Sequence, residues 1–378
     1  MSSKVRTAVV GLGIQGPTHA LWSYSIPESQ LTAVCDVVEE KAKRVGEQYH
    51  VKWYTDYDEM LENKDIDAVI IVTPQGLHAE LAIKAAKAGK HVAVEKPMCL
   101  NLKQADEMRG AVKRAGVLDA YFENLCFAPA YATAKEIVDA GGIGDVFFMR
   151  CGESDGLGVD KMKEKVAERV KESFAAAKSG KPSGIPKDPL KEYGGGMLLS
   201  GGVHAIAYCR HVYNKAPAAK VYAEIRNLAT PDPRFEDTAL LTIRYKDGKI
   251  AWVDCCEYAL GTFDDRAEIY GSKGTIFLDL YRQTGIQIYS QKGYGFIGSS
   301  NFPAGPGYFG VQTNWSYPIP DEKRSLGYYN EQQAFFRSII KGERPIVNFD
   351  DGRATIEIVM AAYKSRDTGN AVSLPLPD

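Results

Sequence analysis

A chain of 378 residues, 45% hydrophobic, 25% charged and 10% aromatic, is long enough for two or three domains. Its make-up is that of an ordinary globular protein, which excludes disordered, collagenous and small disulfide-stapled classes. The 46 basic and 48 acidic residues leave a net charge of −2 with no long single-sign block, so neither nucleic acid nor a membrane surface is an expected partner and a small molecule is.

Seven cysteines, at 35, 99, 126, 151, 209, 255 and 256, include no C-x-x-C pair and fall mostly in apolar runs, the pattern of buried thiols in a reducing compartment. Met1 is followed almost at once by the strand-like 5–10, with no room for a signal peptide, and a cytoplasmic location is expected.

From residue 5 to about 122, apolar runs at 5–10, 31–35, 68–72, 91–94 and 118–122 alternate with helical patterns. Such alternation predicts parallel strands joined by crossover helices. The helix over 77–88 stops at Gly89, and a strand follows directly. After about 123 the texture changes: 146–151, 220–226, 238–245, 250–257, 266–270 and 275–280 read as strands, with Lys246-Asp-Gly-Lys249 as a hairpin turn. This predicts α/β followed by α+β, an N-terminal Rossmann domain over 1–123 and a C-terminal domain over 124–378 built on an open, mostly antiparallel sheet. Residues 156–192 form a helical insertion in that second domain, with Met162, Val166, Val170 and Phe174 every four residues and a proline-rich hinge at 180–189. A solvated surface helix and a lid are both open to it. The uncharged stretch 293–320, with six glycines and four prolines, cannot be a membrane-spanning helix and reads as a loop.

Gly11-Leu-Gly-Ile-Gln-Gly16 follows the first strand immediately, and Pro17 suits the first turn of a helix. In that setting Gly11 allows the tight turn, Gly13 lets backbone N–H groups approach a pyrophosphate, and Gly16 allows close helix packing; Ile14 and Gln15 complete the cofactor loop. Asp36 closes the second strand twenty residues after Gly16, where a carboxylate accepts ribose hydroxyls and repels a 2′-phosphate. NAD is therefore the expected cofactor. Thr73 and Pro74 end the fourth strand on the edge where such sheets bind ligands, and His78 stands near it as a cofactor neighbour or a packing residue.

A strand ending in Glu95-Lys96-Pro97 after such a domain resembles the Gfo/Idh/MocA family of oxidoreductases. The resemblance extends through Gly89-Lys-His-Val92, Asn124 with Phe127 and Pro129, Gly194-Gly-Gly196, Gly202 with His204, and Asp351-Gly352. It implies NAD-dependent chemistry on sugars or polyols, with Glu95 and Lys96 beside the cofactor, and a sheet whose back often forms a subunit interface, hence a homo-oligomer, dimer or tetramer. The family's matching lysine meets the substrate oxygen, so Lys96 is the expected catalytic cation, an ammonium suited to stabilising a developing alkoxide. Pro97 fixes the turn, with a cis bond open to it. His204 matches the catalytic histidine, a group suited to taking the hydroxyl proton.

The chain departs from the pattern at Ser200 and Ala207, where the family commonly has Asp, and at Cys126, where it often has Arg. Asn124, Tyr193, Ser200, Tyr208 and His211 are the candidate substrate contacts, with packing as the favoured reading for Tyr193, Tyr208 and His211. The aromatics of 293–320 suit sugar stacking or, as the favoured reading, an interface. The six histidines lack zinc-like spacing, no Ser lies in G-x-S-x-G, and no metal is expected. The leading expectation is an NAD-dependent oxidoreductase acting on a ring hydroxyl of a sugar, glycoside or cyclitol. One alternative is a redox-neutral, NAD-dependent glycosidase that oxidises, eliminates, hydrates and reduces; another is a non-catalytic NAD-binding sensor.

Overall fold

The computed structural model describes residues 4–154, 194–228, 235–257, 263–281, 288–294, 312–316 and 322–377. The 156–192 insertion, Tyr193 and most of 293–320 lie outside them.

The N-terminal strands are β1 (Val5–Val10), β2 (Ser29–Cys35), β3 (Lys52–Tyr54), β4 (Ala68–Ile71), β5 (His91–Glu95) and β6 (Asp119–Phe122), in the order β3-β2-β1-β4-β5-β6. All pairs are parallel. Helices α1 (Gly16–Ser25), α2 (Glu39–Tyr49), α3 (Tyr57–Glu62), α4 (His78–Lys87) and α5 (Leu102–Ala115) make the crossovers. A parallel sheet covered on both faces needs continuous apolar strands, and every residue of β4 and β6 is buried. The three-residue β3 was not foreseen: Lys52 and Trp53 are exposed at the sheet edge, so it carries no buried periodic signal. Local chemistry sets the helix ends. Asn101 Oδ1 accepts the Gln104 N–H and Gln104 Oε1 accepts the Leu100 N–H, a reciprocal cap on α5, which stops at Gly116 with φ +67°.

The second unit contains α6 (Pro129–Asp139), β7 (Val146–Ser154), α7 (Val203–Val212), β8 (Ala218–Arg226), β9 (Thr238–Tyr245), β10 (Ile250–Cys256), β11 (Asp264–Gly271) and β12 (Gly274–Asp279). With β15 (Val372–Ser373), the strands form one sheet in the order β12-β11-β7-β10-β9-β8-β15. Only β7 and β10 pair in parallel. Along β8, Val221, Ala223 and Ile225 are buried while Lys220, Tyr222 and Glu224 face outward, so one side of the sheet is covered and the other open. β13 (Ile288–Tyr294) and β14 (Gln312–Ser316) pair as a ribbon. The loop expected over 293–320 therefore carries a strand at Gln312–Ser316, whose run is free of Gly and Pro although both flank it.

Helices α8 (Tyr328–Lys341) and α9 (Phe349–Thr368) follow. The chain divides at Asn124/Leu125, one residue from the expected boundary, but Tyr328–Glu357 belongs to the first unit, where the sequence reading kept all of 124–378 together. Phe335 and Phe336 of α8 are fully buried, and Phe335 meets Phe122 of β6 edge-on at 5.9 Å. Packing over such a separation has no local sequence signature.

Candidate active site

Between β1 and α1 the glycine turn is held by steric necessity. Gly11 has φ +89°, and a Cβ there would come within 2.7 Å of Val72 O; one at Gly16 would lie 2.1 Å from Gly11 O. Nothing lies within 4 Å of the place a Gly13 Cβ would take, so that part of the turn is open to a ligand. Ile14 is exposed, and Gln15 stands at the N-cap of α1 without a side-chain capping hydrogen bond, leaving the helix start uncapped. Thr73 follows β4 against this turn, its buried Oγ1 without a hydrogen-bond partner among the described residues, and Pro74 begins the next turn. An open glycine, an uncapped helix start and an orphaned hydroxyl fit a pyrophosphate-bearing cofactor.

Asp36 directs Oδ2 to the Leu12 N–H at 2.7 Å and Oδ1 to the Val38 N–H at 2.8 Å. Its carboxylate thus braces the glycine turn against the end of β2. His78 is buried, with Nδ1 2.9 Å from Pro97 O and Nε2 2.7 Å from Thr73 O. Burial lowers its pKa and outweighs the two carbonyls, each of which favours a ring N–H, and the ring joins the loops after β4 and β5.

β5 ends in Glu95, followed by Lys96 and a cis Lys96-Pro97 peptide. Glu95 is buried; its Oε2 accepts the Lys96 N–H at 2.8 Å, and its Oε1 lies 2.8 Å from His19 Nε2 on α1. Burial pushes this carboxyl up, but the His19 hydrogen bond and the Lys96 ammonium together hold it below the usual carboxylate range. Asn124, after β6, is buried and opens the short turn Asn124–Phe127.

In the second unit the glycine-rich segment is a π-helical turn, Leu198–Gly202, running into α7. His204 stands in the first turn of α7 and is 7% exposed, Ser200 is half-buried in the π turn, and His211 is half-buried at the far end of α7. Tyr208 leaves the set of substrate contacts. It is fully buried, its hydroxyl donates to Tyr131 O at 3.0 Å, and the two rings meet at 4.6 Å, which is packing.

Sequence reasoning missed what holds this segment. The Glu236 carboxylate accepts the Gly196 N–H at 2.9 Å, the Leu198 N–H at 3.2 Å and the Tyr363 hydroxyl at 2.8 Å, while its own carbonyl accepts the Met197 N–H at 2.8 Å. A Cβ at Gly196 would lie 2.0 Å from Glu236 O, so the glycine permits the approach. Glu236 sits forty residues beyond Gly196, outside any motif. The only available signal was an acidic residue just before a strand in a chain with an uncapped glycine segment.

Comparison with known proteins agrees with this architecture. Residues 5–122 match the model of an oxidoreductase family with an NAD-binding Rossmann fold, and residues 131–277 match the Gfo/Idh/MocA C-terminal domain. The chain is 29% identical over 374 residues to the myo-inositol 2-dehydrogenase of Thermotoga maritima, covering 98% of each. It is 30% identical over 379 residues to the scyllo-inositol 2-dehydrogenase (NAD(+)) of Bacillus subtilis, covering 99% of this chain and 97% of that one. The crystal structure of GenD2 from gentamicin A biosynthesis, in complex with NAD, superposes with a TM-score of 0.82 at 24% identity, over all of this chain and 98% of that one, and shows a shared fold. With both domain models matched in order and a full-length relative at 30% identity, this chain belongs to the Gfo/Idh/MocA family of NAD-binding oxidoreductases.

Proposed function

We propose that this protein oxidises a ring hydroxyl of a cyclitol, or of a closely related sugar, with NAD as the oxidant. The observation that carries the reading is full-length similarity to two inositol 2-dehydrogenases in a chain that presents Lys96 at the carboxyl end of β5 and His204 on α7. Bound NAD supplies the hydride acceptor. The glycine turn holds its pyrophosphate against the start of α1, Asp36 takes the ribose hydroxyls, and Thr73 offers its hydroxyl. Lys96 stabilises the negative charge that develops on the substrate oxygen, and His204 accepts the hydroxyl proton on its imidazole. Asn124, Ser200 and His211 remain the candidate substrate contacts.

The test is turnover of a panel of cyclitols, sugars and glycosides with NAD. A cyclitol should give reduced nicotinamide in proportion to ketone, and Lys96→Met should lower kcat by a factor on the order of 10² while leaving NAD affinity near its original value. Release of an aglycone with NAD required but not consumed would replace this reading with the redox-neutral glycosidase. NAD binding with no turnover of any panel member would favour the sensor.

The same reading extends to a homo-oligomer formed through the open face of the seven-stranded sheet. There Tyr222, Thr242, Trp252, Arg150, Glu268 and Phe277 stand in register across six strands. Trp252 and Phe277 are 39% and 64% exposed, and Arg150 is already engaged over the Trp252 ring at 4.8 Å, which leaves a face suited to a second copy. A cytoplasmic location is in keeping with seven free cysteines, six of them buried.

A further inference from the structure

Behind Lys96, a run of hydrogen bonds in the first unit reaches from α8 to β5. Ser23 Oγ donates to Gln332 Oε1 at 2.9 Å, Gln332 Nε2 lies 3.0 Å from His19 Nδ1, His19 Nε2 lies 2.8 Å from Glu95 Oε1, and Glu95 Oε2 accepts the Lys96 backbone N–H at 2.8 Å. Ser23, His19 and Gln332 have no exposed surface and Glu95 only 6%. For a neutral His19 ring beside an ionised Glu95, one proton arrangement satisfies every link. An ionised carboxylate only accepts, so His19 Nε2 carries its proton; in the neutral ring Nδ1 is then an acceptor, the Gln332 amide donates to it, and the amide oxygen is left for Ser23.

We infer that Gln332 and His19 are positioning residues for Lys96, acting through the Glu95 carboxylate, whose orientation and charge they set. The inference rests on the proposed catalytic role of Lys96. Glu95 pins the Lys96 backbone at the sheet edge and places a buried negative charge beside its ammonium. Without the Nδ1 donor, the ring is free to take the other tautomer, turning a lone pair toward Glu95 and destabilising the ionised carboxylate. The ionisable groups around Glu95 are His19 on α1, His78 on α4, Lys96 itself and Glu331 on α8, and Glu331 in turn feels Glu123 after β6. Glu331 is 1% exposed, and a carboxylate oxygen of it lies within 4.8 Å of ligand atoms of both His19 and Glu95. Burial and then the charges of Glu95 and Glu123 push its carboxyl well up, while that of Glu95 is held down, so the pair favours its negative charge on Glu95.

The test compares Gln332→Leu, Gln332→Glu, Ser23→Ala and Lys96→Met in the full chain, with scyllo-inositol or myo-inositol as substrate and kcat expressed per NAD-binding site. Gln332→Leu should lower kcat about tenfold and move the acid limb of its pH profile up by about one unit, with NAD affinity unchanged. Gln332→Glu puts an acceptor where His19 Nδ1 needs a donor and should restore neither, whereas a return of both to the parent values would speak against the amide donor. In the apo protein, spectra of isotope-labelled histidine rings should report His19 protonated at Nε2 and show that preference lost in Gln332→Leu. Should Gln332→Leu fail to yield NAD-binding protein, Ser23→Ala carries the test with a smaller shift of the same sign. An unmoved acid limb and an unchanged His19 tautomer in the variant tested, alongside Lys96→Met that has lost turnover, would overturn the inference and leave the role of Lys96 standing. Near-normal turnover in Lys96→Met would overturn that role instead.

Discussion

The Asp36 carboxylate accepts the Leu12 and Val38 N–H groups, and in the proposed function it also disfavours a 2′-phosphate. NAD should therefore raise the melting temperature more than NADP does, and the pair Asp36→Ala with Val37→Arg should invert that order. An unchanged order in thermal shifts would mean another residue reads the ribose. The variant should also melt lower in the absence of any cofactor, because two turn N–H groups lose their acceptor. Glu331 makes a prediction about pH. Its folded pKa is raised, so the native state binds a proton that the unfolded chain releases above the ordinary glutamate range of about 4.3. Its contribution to stability is full below that range and is lost as pH rises through the folded value. Glu331→Gln removes that dependence, so the stability difference between variant and parent should grow in the variant's favour as pH rises in chemical denaturation. A difference independent of pH would mean that Glu331 is ionised in the folded protein.

At the level of elements, the two candidate catalytic residues are carried in unlike ways. Lys96 follows the parallel strand β5 directly, a position that a run of apolar residues followed by Glu-Lys-Pro makes legible. His204 follows a π turn whose N–H groups are gathered by Glu236, and that arrangement needs a partner forty residues away. Hydrogen bonds to an ionised group are worth about 1.5–3 kcal/mol each, so the Glu236 carboxylate is a substantial share of what fixes this turn. Glu236→Gln turns an amide N–H toward donors that need an acceptor and should destabilise the protein by about 1–3 kcal/mol. It should also lower kcat more than it raises KM, because His204 loses its fixed approach. Denaturant titration and steady-state kinetics check both, and a stable variant with normal kcat would show that the turn holds itself. Gly196→Ala should do more damage, since its Cβ would fall 2.0 Å from Glu236 O.

For the whole molecule, the open sheet face predicts an assembly equilibrium. Trp252→Arg with Phe277→Glu should reduce the solution mass measured by light scattering while leaving NAD binding intact, and an unchanged mass would place the contact elsewhere. The places of most strands in both sheets were legible because period and turn chemistry are local, and 5–10 and 238–245 match β1 and β9 end to end, whereas the order of the strands was not. The glycine turn, Asp36 and Glu95-Lys96-Pro97 were legible for the same reason, since a phosphate-binding turn and a strand-end lysine each lie within one supersecondary unit. The return of Tyr328–Glu357 to the N-terminal unit was not, because helix α8 docks on strands some two hundred residues earlier through Phe335 and Phe336. Tyr208 shows the same limit from the other side: its polar group suggested a ligand contact, and only the fold supplied Tyr131 O as its partner. By itself the sequence determined the class of fold and marked out the glycine turn and the candidate lysine and histidine, all properties of contiguous residues. Tertiary structure alone decided which distant carboxylates and amides hold them, Glu236 for the one segment and Glu95 with His19 and Gln332 for the other, because a buried polar group is satisfied by whatever the packed chain brings within 3 Å of it.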